Sequence, residues 1–183
     1  MSASLAQYLS RSIERNSIGF AVKDTIICLS QASKNIANFL SKNGLLNNQM
    51  GSQIGNINVD GDSQKALDVI ADKAIVTAIA DKYVAAYFSE EQDTVLLLEQ
   101  KGNLIVCADP LDGSSNIDNN ISVGTIFSIL PRKNNNYEID HITNDVLQPG
   151  VNQLASGFFM YGPQTTLILT IGNGVTAFVL DND

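Results

Sequence analysis

The chain has 183 residues, 44% of them hydrophobic, and a formal net charge of -8. That length and apolar content allow one compact domain with a sizeable core, and the negative balance argues against nucleic acid and anionic membranes as partners. One His and two Cys are too few for a nitrogen or sulfur metal centre.

The first sixteen residues, MSASLAQYLSRSIERN, lack the basic opening and apolar core of a secretory signal. Val22, Ile26, Leu29, Ile36, Phe39 and Leu40 recur at helical spacing and predict a helix that stops near Lys42-Asn43-Gly44. Residues 47–60 are rich in Asn, Gln and Gly and read as a loop, a candidate lid because it adjoins Asp62. Its Asn56, Asn58, Asp60 and Gly61 imitate the opening of an EF-hand, but the twelfth position is Leu67 where a bidentate Glu is needed. A second helix is expected from Leu67, Ile70, Ala71, Ala74 and Ala78, with Asp62 or Ser63 as its cap.

Short apolar runs follow at 83–88, 94–98, 103–108 and 122–130, each predicting a strand. Residues 131–140 read as a polar connection, with His141 in a surface loop, and residues 152–161 as a helix. Runs at 165–171 and 174–180 predict a hairpin closed by Asn173-Gly174. The GNGVTA string there imitates a dinucleotide fingerprint, yet β-branched and aromatic residues follow where a helix would have to begin, so a nucleotide cofactor is rejected. Helices first and short-linked strands after predict an α+β layered domain. Cys28 and Cys107 read as reduced core residues of a cytosolic protein.

The chemistry concentrates in carboxylates. The run DPLDGSS, Asp109 to Ser115, sets two acids three residues apart beside a Gly-Ser-Ser turn, at the point where a buried strand opens into a loop. Glu90 and Glu91 follow another strand, and Asp62 and Asp68 lie on the helix before it. If Asp62, Asp68, Glu90, Glu91, Asp109 and Asp112 converge, each pair of like charges at 4 Å costs about 4 kcal/mol at an effective dielectric near 20. Such a group requires cations, and an all-oxygen set points to Mg²⁺ or Mn²⁺. Successive amides after Gly113 can form an anion-binding concavity.

Taken together, GDSQKALDV (61–69), SEE (89–91), VCADPLDGSSNID (106–118), SVGTIFSI (122–129), LQPG (147–150) and YGPQTTLIL (161–169) resemble class I fructose-1,6-bisphosphatase. That family is part of the Mg²⁺-dependent, lithium-sensitive sugar phosphatase superfamily. The resemblance implies the first half of an αβαβα sandwich, with residues 1–183 as its metal- and phosphate-binding part and the sugar-binding half lying outside this sequence. It implies hydrolysis of the 1-phosphate of fructose 1,6-bisphosphate in gluconeogenesis, with two or three Mg²⁺ ions, a cytoplasmic location and a homotetramer. It also implies that the isolated chain binds Mg²⁺ weakly and turns over poorly.

Carried over residue by residue, the resemblance makes Glu90, Asp109, Asp112 and the main-chain carbonyl of Leu111 metal ligands, with Asp62 as a further metal or loop carboxylate. Asp68 and Glu91 match the pair that takes the proton from the attacking water, and Asp112, Gly113, Ser114 and Ser115 match the segment that receives the phosphate. Asn103-Leu104 and Val151 stand where AMP-inhibited members of the family carry Lys-Tyr and Arg, so animal-type AMP inhibition is not expected. The alternatives are another sugar phosphatase, acting on sedoheptulose 1,7-bisphosphate or inositol phosphates, or a noncatalytic half-subunit.

Overall fold

A computed structural model describes residues 3–13, 17–42, 61–80, 82–134 and 136–180. The candidate lid at 47–60 and the stop signal at Asn43-Gly44 lie outside the described residues.

Among the described residues, three helices precede the strands. Helix α1, Leu5–Ser12, opens with a reciprocal capping box in which Ser4 and Gln7 satisfy each other's backbone amides. Helix α2, Ser17–Leu40, buries Val22, Ile26, Leu29 and Ile36, the apolar face expected from their spacing. Helix α3, Gly61–Ile79, starts before the expected caps, so Asp62 and Ser63 fall within its first turn. Its buried stripe is Leu67, Ala71, Ile75 and Ile79, each a four-residue step from the last. Ile75 and Ile79 join Leu67 and Ala71 in that stripe, while Ala74 and Ala78 pack at its margin.

The strands form one seven-stranded sheet. They are β1 (Val84–Ser89), β2 (Leu96–Leu97), β3 (Leu104–Asp112), β4 (Val123–Pro131), β5 (Ala155–Tyr161), β6 (Thr165–Thr170) and β7 (Val175–Val179). Their order is β2-β1-β3-β4-β5-β6-β7, with β1 and β3 parallel and every other neighbouring pair antiparallel. Helices α2 and α3 pack together and share one core with the sheet, in which Tyr87, Val106, Phe127, Phe159 and Leu167 are buried. This is the expected α+β layered arrangement.

Two elements differ from their expected form. Residues 155–161, expected to be helical, form β5, which is hydrogen-bonded to β4 on one side and β6 on the other. Tertiary pairing overrides the ambiguous local pattern: Phe159 and Tyr161 turn inward while Phe158 and Met160 turn out, a period of two. Gly157 allows a close strand approach, since a Cβ there would lie 2.4 Å from the Ile168 carbonyl oxygen. His141, expected in a loop, sits exposed on helix α4, Ile139–Val146. That helix is anchored by buried Asp145, whose carboxylate accepts the Lys133 and Asn134 amides at 2.9 and 3.1 Å.

The β6–β7 hairpin forms as expected, but the positive φ angles fall on Gly172 and Gly174, at 91° and 81°. Cys28 and Cys107 are free and half-buried. Among the described residues, no helix is long and apolar enough to cross a membrane.

Candidate active site

The parallel pairing of β1 with β3 assembles the site. Ser89 lies beside Ala108 in register, so both strands release their chains at the same edge of the sheet. The Glu90 amide donates to the Ala108 carbonyl at 3.0 Å and carries the contact one residue past β1. Glu90 and Glu91 therefore emerge next to Asp109, although 18 residues lie between Glu90 and it in the chain. One carboxylate oxygen from each of Glu90, Glu91 and Asp109 lies within 4.8 Å of the others. The carboxyl ends of neighbouring parallel strands are a common ligand address in sheets flanked by helices.

A bulge shapes the DPLDG segment. Asp109 pairs with Ile126 and Asp112 with Gly124, so β3 takes three steps where β4 takes two. In a regular strand, side chains three apart would point to opposite faces; the extra residue breaks that alternation, and the Asp112 charge acts directly on Asp109. The turn is held from below: the Thr125 hydroxyl donates to the Pro110 carbonyl at 2.7 Å and lies 2.7 Å from the Tyr161 hydroxyl. The Leu111 amide donates to Asp109 Oδ1 at 3.1 Å. Tyr161, buried at the end of β5, thus also braces this turn.

Gly113 leaves the bulge in the left-handed conformation, φ 79° and ψ 22°, and caps a 3₁₀ turn at Ser114–Asn119. Asp68 reaches the group from α3, where it is buried and accepts a long 3.4 Å hydrogen bond from the Ser114 hydroxyl. Its other oxygen, Oδ1, is buried with no hydrogen-bond partner among the described residues. The site therefore brings together Asp68, Glu90, Glu91 and Asp109, with exposed Asp112 at the margin. The role expected of the Asp62 side chain lies outside the described residues.

The electrostatics record the crowding. Glu91 reaches solvent, yet surrounding protein strips part of its hydration, and together with the charges of Asp68 and Glu90 this pushes its carboxyl up to about 6. Burial also raises Asp68, opposed by the Ser114 hydrogen bond and reinforced by Glu90. Asp109 rises through burial and the charges of Asp112, Glu90 and Asp68, against the Leu111 amide. An open hollow of about 590 Å³ adjoins the group, lined by Phe88, Glu90, Asp109, Ile126, Ser128 and Gln153.

These residues fit a hard divalent cation. The donors are all oxygen, three of them converge, and the unpartnered Asp68 Oδ1 has a buried lone pair to offer. The folded protein without an ion holds a proton on Glu91 that an unfolded chain releases between pH 4.5 and about 6, so this contribution to stability is lost as pH rises through that window. Thermal unfolding in chelator should show that loss, and Glu91→Gln should reduce it. Because a cation must displace the same proton, the apparent Mn²⁺ affinity should rise over the same window in calorimetric titrations.

A further carboxylate, not among the residues the motifs single out, takes part. Asp72, one helical turn beyond Asp68, is buried and accepts from Tyr87 and Ser89. Its four-residue spacing from Asp68 was the available signal.

Fold and site together define a class: a layered α+β domain that gathers carboxylate oxygens at the carboxyl edge of a parallel strand pair. The family model described as Fructose-1-6-bisphosphatase, N-terminal domain, matches residues 8–183, and the chain belongs to that family. It is 41% identical to the class 1 fructose-1,6-bisphosphatase of Rhizobium meliloti over 181 residues, covering 98% of this chain and 51% of the relative. A class 1 enzyme of Cereibacter sphaeroides is 44% identical over 173 residues, covering 93% and 50%. The crystal structure of Leishmania major fructose-1,6-bisphosphatase in holo form superimposes with a TM-score of 0.84 at 27% identity, covering 99% of this chain and 55% of that one. The chain spans about half the length of the curated relatives it matches.

Proposed function

We propose that this chain is the metal- and phosphate-binding half of a phosphoric monoester hydrolase that converts fructose 1,6-bisphosphate to fructose 6-phosphate and phosphate. The observation that carries this reading is the convergence of Glu90 and Glu91 with Asp109, two motifs remote in sequence, in a chain of this family. Glu90, Asp109, Asp112 and the Leu111 carbonyl would hold the ions, with Asp62 as a further ligand. Two or three Mg²⁺ ions, or Mn²⁺, would supply Lewis-acid polarisation of the phosphoryl oxygens and neutralise charge on the leaving alkoxide.

The chain's own groups divide the remaining work. Glu91 and Asp68, whose charges act on one another beside the ligand group, would together take the proton from the attacking water. Gly113, Ser114 and Ser115 would orient the departing phosphate, with Asp112 at its edge. A cytoplasmic place in gluconeogenesis and a homotetrameric assembly complete the proposal.

The test is phosphate release from fructose 1,6-bisphosphate in saturating Mg²⁺ or Mn²⁺, by this chain alone and by a fusion to the second half of the Rhizobium meliloti relative. A substrate held at one end only loses much of its positioning, so the fusion should turn over faster than the chain alone. Preference for sedoheptulose 1,7-bisphosphate or an inositol phosphate would replace the substrate assignment. Failure of an active fusion to require a divalent ion would overturn the mechanism.

Gly113→Ala is a sharper probe of the phosphate turn. A left-handed φ costs a residue with a Cβ about 1–2 kcal/mol, and the new methyl group would also meet the Asn116 amide nitrogen at 3.3 Å. The expected result is a loss in phosphate release larger than any loss in Mn²⁺ affinity.

A further inference from the structure

We propose that Asp72 is a positioning residue that sets the geometry of the Glu90–Glu91 pair by clamping the residues on both sides of it. The role rests on the reading of Glu90 as a metal ligand. The Asp72 carboxylate is 7% exposed and takes hydrogen bonds from three side chains. Oδ1 accepts from the Tyr87 hydroxyl at 3.0 Å and the Ser89 hydroxyl at 2.7 Å, and Oδ2 accepts from the Gln92 side-chain amide. Ser89 immediately precedes Glu90, and Gln92 immediately follows Glu91. A single carboxylate on α3 therefore ties down both flanks of the two-residue segment.

The Ser89 hydroxyl passes the constraint onward by accepting the Glu91 amide at 3.3 Å. Tyr87, fully buried within β1, anchors the clamp to the sheet. Asp68 and Asp72 stand one turn apart on the same helix, so α3 offers one carboxylate to the acidic group and a second to the backbone that presents it. No ion pair to Asp72 occurs among the described residues. A buried carboxylate held only by neutral donors is an expensive way to fill space, since an apolar residue there would avoid the desolvation cost. Precision of the turn is what the three hydrogen bonds add. Without them, two mutually repelling glutamates on an exposed turn have every reason to splay apart.

The experiment is calorimetric titration of the 183-residue chain with Mn²⁺, alongside thermal unfolding and the electron paramagnetic resonance spectrum of bound Mn²⁺. Asp72→Ala should weaken Mn²⁺ binding by about 10- to 100-fold, the range seen when groups that orient metal ligands are removed, and should broaden the spectrum. Asp72→Asn keeps an acceptor for Ser89 and Tyr87 but turns an amide toward the Gln92 amide. It should fall between, and pairing it with Gln92→Glu, which reverses that hydrogen bond at unchanged net charge, should recover most of the affinity. The asparagine and paired variants decide the matter if Asp72→Ala does not unfold cooperatively.

Recovery in the pair supports positioning, because a general loss of stability would not be repaired by a second change at the turn. Undiminished binding in Asp72→Asn, with binding weakened in Glu90→Gln, overturns the role of Asp72 and leaves the metal site standing. Undiminished binding in Glu90→Gln overturns the metal site, and the role of Asp72 with it.

Discussion

Asp109→Asn should remove divalent-ion binding and phosphate release while making the ion-free protein more stable. The two effects have one origin. Asp109 feels burial and the charges of Asp112, Glu90 and Asp68, all of which disfavour its ionised form. Replacing its charge relieves that repulsion, which is about 1 kcal/mol per pair at 4 Å where water screens it and up to about 4 kcal/mol where protein does. In a chain of this size, each kcal/mol corresponds to about 2–4 °C in the unfolding midpoint. The amide is a poor substitute as a ligand, and the stabilisation drawn from a bound ion is several kcal/mol, so phosphate release should fall by about 100-fold or more. Mn²⁺ titration and a melting curve in chelator, run on the same preparation, check both signs. Unchanged Mn²⁺ binding would sink the assignment, whereas lower stability in chelator would mean that Asp109 serves packing.

Phe159→Ala should be the most damaging single truncation in the sheet. Phe159 lies in the middle of β5, fully buried, and its ring stacks on Phe127 with centroids 5.5 Å apart and planes at 29°. Removing it opens a cavity against Phe127 in the core that the sheet shares with the helices, and β5, hydrogen-bonded to β4 and β6 on both sides, has little freedom to collapse into it. The expected loss is about 3–5 kcal/mol, a large part of the stability of an ordinary domain. Its neighbour Phe158 points outward and is 41% exposed, so Phe158→Ser should cost far less. Urea midpoints for the two variants measure the contrast. Equal losses would contradict the alternation assigned to β5.

The contrast within β5 also marks the limit of local reading. Residues 152–161 mix glycine, aromatic and small residues, and nothing in that pattern separates helix from strand. The answer comes from two neighbouring strands, β4 and β6, which supply backbone partners on both sides. The helix holding His141 was missed for a related reason: its anchor, Asp145, is bonded to amides at Lys133 and Asn134, outside the helix. Helix α2 was legible because its apolar residues recur within each turn. The start of strand β3 was legible as a short apolar run, but its end was not: the strand was expected to open into a loop at Asp109, and instead it continues through Pro110 to Asp112 because β4 pairs with it across the bulge.

By itself the sequence determined the kinds of donor available, oxygen in abundance and nitrogen or sulfur in short supply, and the point where β1 opens into an acidic turn. Those are properties of neighbours along the chain, and short-range sterics and hydropathy express them directly. Only the tertiary structure decided that Glu90 and Glu91 stand within 4.8 Å of Asp109, that a bulge breaks the alternation between Asp109 and Asp112, and that Asp72 grips the turn between β1 and β2. The physical reason is that strand register and helix packing are settled by the whole core at once. A carboxylate's neighbours in space follow from that settlement and not from its place in the string.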